Sequence, residues 1–109
     1  MLEQTASARI VISTAGPEEE AARIARKLVE GRLAACVSRL SGLTSVYSWQ
    51  GAVEEAAEVL LLIKTSAEQL PAVEAAMREL HSYELPEFLV LPVAEGSHAY
   101  LDWLFASLS

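Results

Sequence analysis

A chain of 109 residues with a formal net charge of −7 at pH 7 is sized for a single domain, 1–109, and at that length folding buries roughly two-thirds of the surface the unfolded chain exposes. Acidic residues outnumber basic ones fifteen to eight, and Arg23, Arg26, Lys27 and Arg32 alternate with Glu18, Glu19, Glu20 and Glu30, which leaves no basic patch and excludes a nucleic-acid binder. The longest aliphatic run, Val59 to Ile63, is far below the ~20 residues of a membrane-spanning helix, Met1-Leu2-Glu3-Gln4 lacks the basic start of a secretion signal, and the lone Cys36 rules out an intrachain disulfide, so no membrane insertion and a reducing, cytoplasmic compartment are expected.

Ala8 to Thr14, with Ile10, Val11 and Ile12 between turn-prone ends, reads as a buried strand stopped by Gly16-Pro17. Pro17 suits the first position of a helix, and Glu18, Glu19 and Glu20 set negative charge against the positive end of its dipole. Ala21, Ile24, Ala25 and Leu28 then recur at helical spacing, with Arg23, Arg26 and Lys27 turned outward. Glu19 with Arg23 and Arg26 with Glu30 are four apart, each exposed pair contributing a few tenths of a kcal/mol.

From Ala35 to Gln50 the period falls to two, with Leu43, Tyr47 and Trp49 on one face and Thr44, Ser48 and Gln50 on the other. The interruption at Ser41-Gly42 predicts two strands or one long strand bent at Gly42. Gln50-Gly51 fits a hairpin turn, and Glu58 to Lys64 the returning strand, whose Val-Leu-Leu-Leu-Ile core implies burial on both faces. Ser66 with Gln69 three residues on matches a capping box. Leu70, Val73, Met77 and Leu80 form the stripe of a second helix, which Pro71 delays to about Gln69. Phe88 to Val93 reads as a strand that Pro92 places at an edge or an end. Ser97 caps a last helix from His98 to about Ser107, with Leu101, Leu104 and Leu108 on one side.

This β-α-β, β-α-β order favours an α+β fold, a ferredoxin-like α/β sandwich with an extended bent β-hairpin and a C-terminal helix. With glycine counted in place of tyrosine, about 54% of the chain is apolar, against ~45–50% in ordinary domains. A small soluble chain most simply buries such a surplus between subunits.

Chemistry-bearing residues concentrate in His81, Tyr83, Glu84 and Glu87, within seven positions after a helix ending near His81. A histidine there either meets the helix dipole or serves as a ligand. A metal site needs three or four converging donors, and one chain offers two here, His81 and Glu87, so a neighbouring subunit would have to complete the set. Cys36, in the apolar run Leu33-Ala34-Ala35-Cys36-Val37, is expected as a small buried hydrophobe. His98, near Ser97 and Asp102, is expected on a solvated first helical turn. Tyr47, Trp49, Tyr83, Tyr100 and Trp103 suit core and interface packing. Alternatively Tyr47, Trp49, Lys64 and Tyr83, with Glu84 and Glu87, line a cleft for a small charged ligand. The five glycines are widely spaced and form no phosphate loop. No nucleophile, base and orienting group stand together, so no enzyme is expected.

Four stretches resemble the CutA divalent-cation tolerance family: Arg32-Leu33-Ala34-Ala35-Cys36-Val37, Thr44 to Gly51, His81-Ser82-Tyr83-Glu84-Leu85-Pro86-Glu87, and Tyr100-Leu101-Asp102-Trp103-Leu104. The likeness runs from about Ile10 to Trp103. It implies the ferredoxin-like fold, a homotrimer that pairs strands between subunits, a pocket between those subunits, and binding of copper or another divalent cation through His81 and Glu87. Some copper-binding bacterial members have cysteine where this chain has Ser13 and a second histidine where it has Leu80. Ser82 stands where the family usually has proline. The trimer also resembles PII signalling proteins, which implies as alternatives a small-molecule-binding signalling trimer or a trimer that anchors other proteins.

Overall fold

The computed structural model describes residues 1–108 and places two sheets and three helices in one α+β unit. Strand β2 (Ala8–Ala15) leads into α1 (Glu18–Glu30); β3 (Cys36–Trp49) and β4 (Ala52–Ser66) form a long hairpin; a 3-10 turn at Ala67–Gln69 opens into α2 (Leu70–Leu80); β5 (Leu89–Pro92) returns to the sheet. The four strands lie in the order β3-β4-β2-β5, every neighbouring pair antiparallel. Helices α1 and α2 therefore each join two strands that have a third between them. The mixed α+β class is as the sequence implies.

Core formation follows the two periodicities. On one face of the sheet Val11, Ser13 and Ala15 pair with Ile63, Leu61 and Val59, all buried against Ala21, Ile24 and Leu28 of α1 and Val73 and Met77 of α2. The opposite face carries Ile10, Ile12, Leu60 and Leu62, which stay half-buried, and Leu40, Leu89 and Leu91, which are exposed. The β4 run is thus buried on one face only within a single chain, and a sheet face of aliphatic side chains is left without a cover.

Local chemistry sets the ends. Gln50 and Gly51 have φ of 50 and 83, the two positive angles a type I′ turn requires, between the paired Trp49 and Ala52. Between Leu40 and Leu43 the register shifts by one residue around Gly42, at φ 84, so the bend expected there is a bulge within one continuous strand. The hairpin draws the molecule out to 47 Å in its long dimension, against 24 and 23 Å in the others. Ser97 caps α3 (His98–Ala106) by accepting the Tyr100 N–H at 3.3 Å, as its position implies.

Two expectations need correction, and one pair of strands was not anticipated. Ser66 makes no side-chain cap; it is the buried last residue of β4, and a 3-10 turn intervenes before α2, with Pro71 in the first helical turn where its missing N–H costs nothing. The returning strand starts at Ala52 rather than Glu58, because pairing with β3 overrides the weak strand propensity of Ala52 to Ala57. A second, two-stranded sheet also forms, β1 (Leu2–Gln4) with β6 (Glu95–Ser97), in segments too short to carry a periodic signal.

Candidate functional site

Strand β5 pairs with β2 only as far as Ile12 opposite Leu89, so beyond that point the edge of β2 has lost its neighbour. The loop after α2 takes its place. His81 Nε2 lies 2.6 Å from the Thr14 carbonyl oxygen, and Ser13 Oγ donates to the Glu87 carbonyl at 2.6 Å. A carbonyl can only accept, so Nε2 carries the proton, and Nδ1 is left to accept the Tyr83 N–H at 3.0 Å. The imidazole side chain is 0% exposed. Its second neighbour is Glu20, whose Oε2 lies 3.5 Å from Nδ1 and accepts the Ser82 N–H at 3.2 Å. Burial pushes the Glu20 carboxyl up, but hydrogen bonds from Ser82 and the nearby charge of Arg23 outweigh it and hold the group below its ordinary value.

Pinned this way, the loop delivers Tyr83 across the start of the hairpin, where its hydroxyl donates to Glu58 Oε2 at 2.8 Å. Gly16 makes room: a Cβ there would lie 3.0 Å from the phenolic oxygen. Burial, then the hydrogen bond and charge of Glu58, push the Tyr83 phenol up to about 12, with Tyr47 and Glu20 adding to it. Burial and the charge of Glu58 also push the Glu87 carboxyl up. Beside Glu58 opens a notch of about 220 Å³, lined by Gly16, Glu18, Gly42, Leu43, Thr44, Ala57, Glu58 and Val59. A larger groove of about 350 Å³ between α1 and β3 holds none of the residues singled out from the sequence.

Of those residues, Tyr83 and Glu87 each come within electrostatic reach of Glu58, and Tyr47 within reach of Tyr83. Lys64 does not join them: six residues along β4 from Glu58, or ~20 Å, it donates instead to Ser38 Oγ and lies 3.8 Å from Cys36 Sγ. Trp49 stands at the hairpin tip opposite Ala52, equally far from Glu58 along the strand, and Glu84 is exposed. Cys36 is half-buried rather than buried. Among the described residues no three His, Cys, Asp or Glu side chains gather as a metal site. Both nitrogens of the His81 imidazole are engaged by backbone groups, and Ser13 Oγ is turned to the Glu87 carbonyl. The charged groups that line the notch are the carboxylates of Glu18 and Glu58, and oxygen donors suit hard cations.

Sequence reasoning missed Glu58 and Glu20. Glu58 carried one signal, a charge at the head of the apolar run Val59 to Ile63; Glu20 sits in an acidic first turn and carried none.

Comparison with known proteins gives a consistent picture. Residues 9–107 match the family described as CutA1 divalent ion tolerance protein. The divalent-cation tolerance protein CutA of Thermus thermophilus is 50% identical over 95 residues, 87% of this chain and 92% of that protein. The structure of CutA from Synechococcus elongatus superposes with a TM-score of 0.96 at 43% identity, covering 100% of this chain and 96% of that one. The same protein complexed with a Bis-Tris molecule superposes with a TM-score of 0.93 at 41% identity over 99% and 100% of the two chains. A match across nearly the whole length, joined to this identity and this superposition, makes the chain a member of the CutA1 divalent ion tolerance family.

Proposed function

We propose that this chain is a divalent-cation tolerance protein of the cytoplasm that works as a homotrimer of ferredoxin-like sandwiches and binds a cation weakly through the carboxylates at the root of its hairpin. The single observation that carries this reading is the crowding of negative charge there. Glu58 and Glu87 lie close enough that the first raises the pKa of the second, and Tyr83 donates to Glu58 from the opposite side. Two carboxylates held together in partial burial gain most from a positive ligand that relieves their repulsion. Oxygen donors suit divalent ions of the harder kind and equally a protonated amine. The Synechococcus relative holds Bis-Tris, an amine polyol, which supports the second occupant.

The trimer rests on the uncovered sheet face. Ile10, Ile12, Leu60, Leu62, Leu89 and Leu91 form a continuous aliphatic surface, and Tyr47 and Trp49 project from the hairpin beyond it. Surface of this kind is covered by protein in stable assemblies.

Calorimetric titration of Mn(II), Zn(II), Cu(II) and a protonated amine polyol into the protein and its Glu58→Gln and Glu87→Gln variants tests the ligand. Binding weakened in both variants is expected, and affinity unchanged in both would remove the carboxylate pair from the site. Sedimentation velocity is expected to give a trimer at micromolar concentration; a monomer would refute the assembly.

A further inference from the structure

In metal centres a ligating histidine donates one ring N–H to a carbonyl or carboxylate and turns its other nitrogen to the ion. The first half of that arrangement is present at His81, whose Nε2–H meets the Thr14 carbonyl at 2.6 Å. The second half is closed. Nδ1 already accepts the Tyr83 N–H at 3.0 Å, the side chain has no exposed surface, and the carboxylate within 3.5 Å of Nδ1, that of Glu20, is held by the Ser82 N–H. The remaining neighbours of the loop give no alternative: Ser13 Oγ is spent on the Glu87 carbonyl, and Leu80 has no donor.

We propose that His81 is a pin and not a ligand: its imidazole, locked in one tautomer between two backbone groups, fixes the loop of residues 81–87 on β2, and this chain thereby refuses Cu(II) at that position and leaves cations to its carboxylates. An ion reaching Nδ1 would have to evict the Tyr83 N–H and leave that donor unpartnered in a closed space. Eviction would also pull Tyr83 away from Glu58, since only one residue separates the pin from the tyrosine whose phenol bonds Glu58. His81 is in this sense a positioning residue for Tyr83. The proposal goes beyond the cation reading above and stands whether or not the notch binds an ion.

Two measurements test it. The first loads one equivalent of Cu(II) onto the His98→Gln protein, which lacks the exposed imidazole, and records pulsed EPR. The expected spectrum has no modulation from the remote nitrogen of a bound imidazole, and such modulation, lost on adding His81→Gln, would overturn the proposal. The second follows the imidazole ¹⁵N resonances of the unsubstituted protein. Nδ1 is expected to give an unprotonated, pyridine-type signal that Zn(II) leaves in place, and a metal-induced shift of that signal would overturn it as well. The positioning role is read in amide hydrogen exchange at Ser82 and Tyr83. Acceleration of about tenfold is expected in His81→Ala and substantially less in His81→Gln, which keeps an N–H for the Thr14 carbonyl. Equal protection in both variants and the parent would refute the pin, and if either variant fails to fold, the ¹⁵N spectrum of the parent still decides.

Discussion

At the scale of single residues, Glu58 at the notch and Glu87 beside it compete over charge. Glu87 has a pKa raised by burial and by Glu58, so the folded chain holds that proton more tightly than the unfolded one. Its ionisation therefore costs stability at neutral pH, and the cost disappears as pH falls through the raised folded value. Glu20, whose pKa is lowered in the fold, works in the opposite sense: its contribution is present above the unfolded value and lost as pH falls through the folded one. Glu87→Gln is expected to raise the melting temperature at neutral pH, with the gain shrinking towards about pH 4 as the parent's own carboxyl takes up its proton. A gain independent of pH in differential scanning calorimetry would show that charge is not its source. Legibility at this scale depended on sequence distance. His81, Tyr83 and Glu87 stood out because they cluster in one short segment, whereas Glu58 acquires its role only when Tyr83 arrives from 25 positions away.

Among the secondary elements, the one the sequence left unannounced is also the one most dependent on a titrating side chain. Strand β1 is held to β6 over three residue pairs and to the start of α3 by the His98 N–H donated to the Met1 carbonyl at 3.0 Å. Around this joint His98 Nδ1 meets Glu3 Oε2 at 2.6 Å and Nε2 meets Asp102 Oδ2 at 3.1 Å. Only the imidazolium can donate to both, and the hydrogen bond to Glu3, with the charges of Asp102 and Glu3, raises the His98 pKa. A raised histidine pKa stabilises the contact fully below the unfolded value and loses it as pH rises through the folded value. Protection of the amides of Leu2–Gln4, corrected for intrinsic exchange, is thus expected to fall on going from mildly acidic to mildly alkaline solution, and His98→Gln to abolish that dependence. Protection that stays level in the parent would show that the strand does not rely on the ion pair. Elsewhere the sequence was explicit wherever its chemistry is local. Gln50-Gly51 specifies its turn by backbone angle, and Ala21, Ile24 and Leu28 specify a buried helix face by spacing. Ala52 to Ala57 lacks β-branched residues apart from Val53 and becomes strand only through its partner across the hairpin.

For the molecule as a whole, the mixed α+β class could be read because helical and strand periods alternate along the chain. What could not be read was that the second sheet face would stay bare, since an alternating run and a doubly buried one look the same in Val59 to Ile63. A bulge ties that face to the hairpin tip. The register of β3 against β4 slips by a single position between Leu40 and Leu43, and in an extended strand one position reverses which side every later residue points to. Before the slip Cys36, Ser38 and Leu40 look toward the bare face; after it Leu43, Tyr47 and Trp49 do. The extra amino acid acts as a half-twist in a ribbon, keeping even-numbered residues below it and odd-numbered ones above it on the same page. Inserting one residue between Glu58 and Val59, opposite the bulge, should let the ladder run unbroken and send both rings to the reverse side, yielding a polypeptide with native circular dichroism that sediments as single copies. Unaltered trimers from such a lengthened protein would mean that the aromatic margin plays no part in recognition between copies.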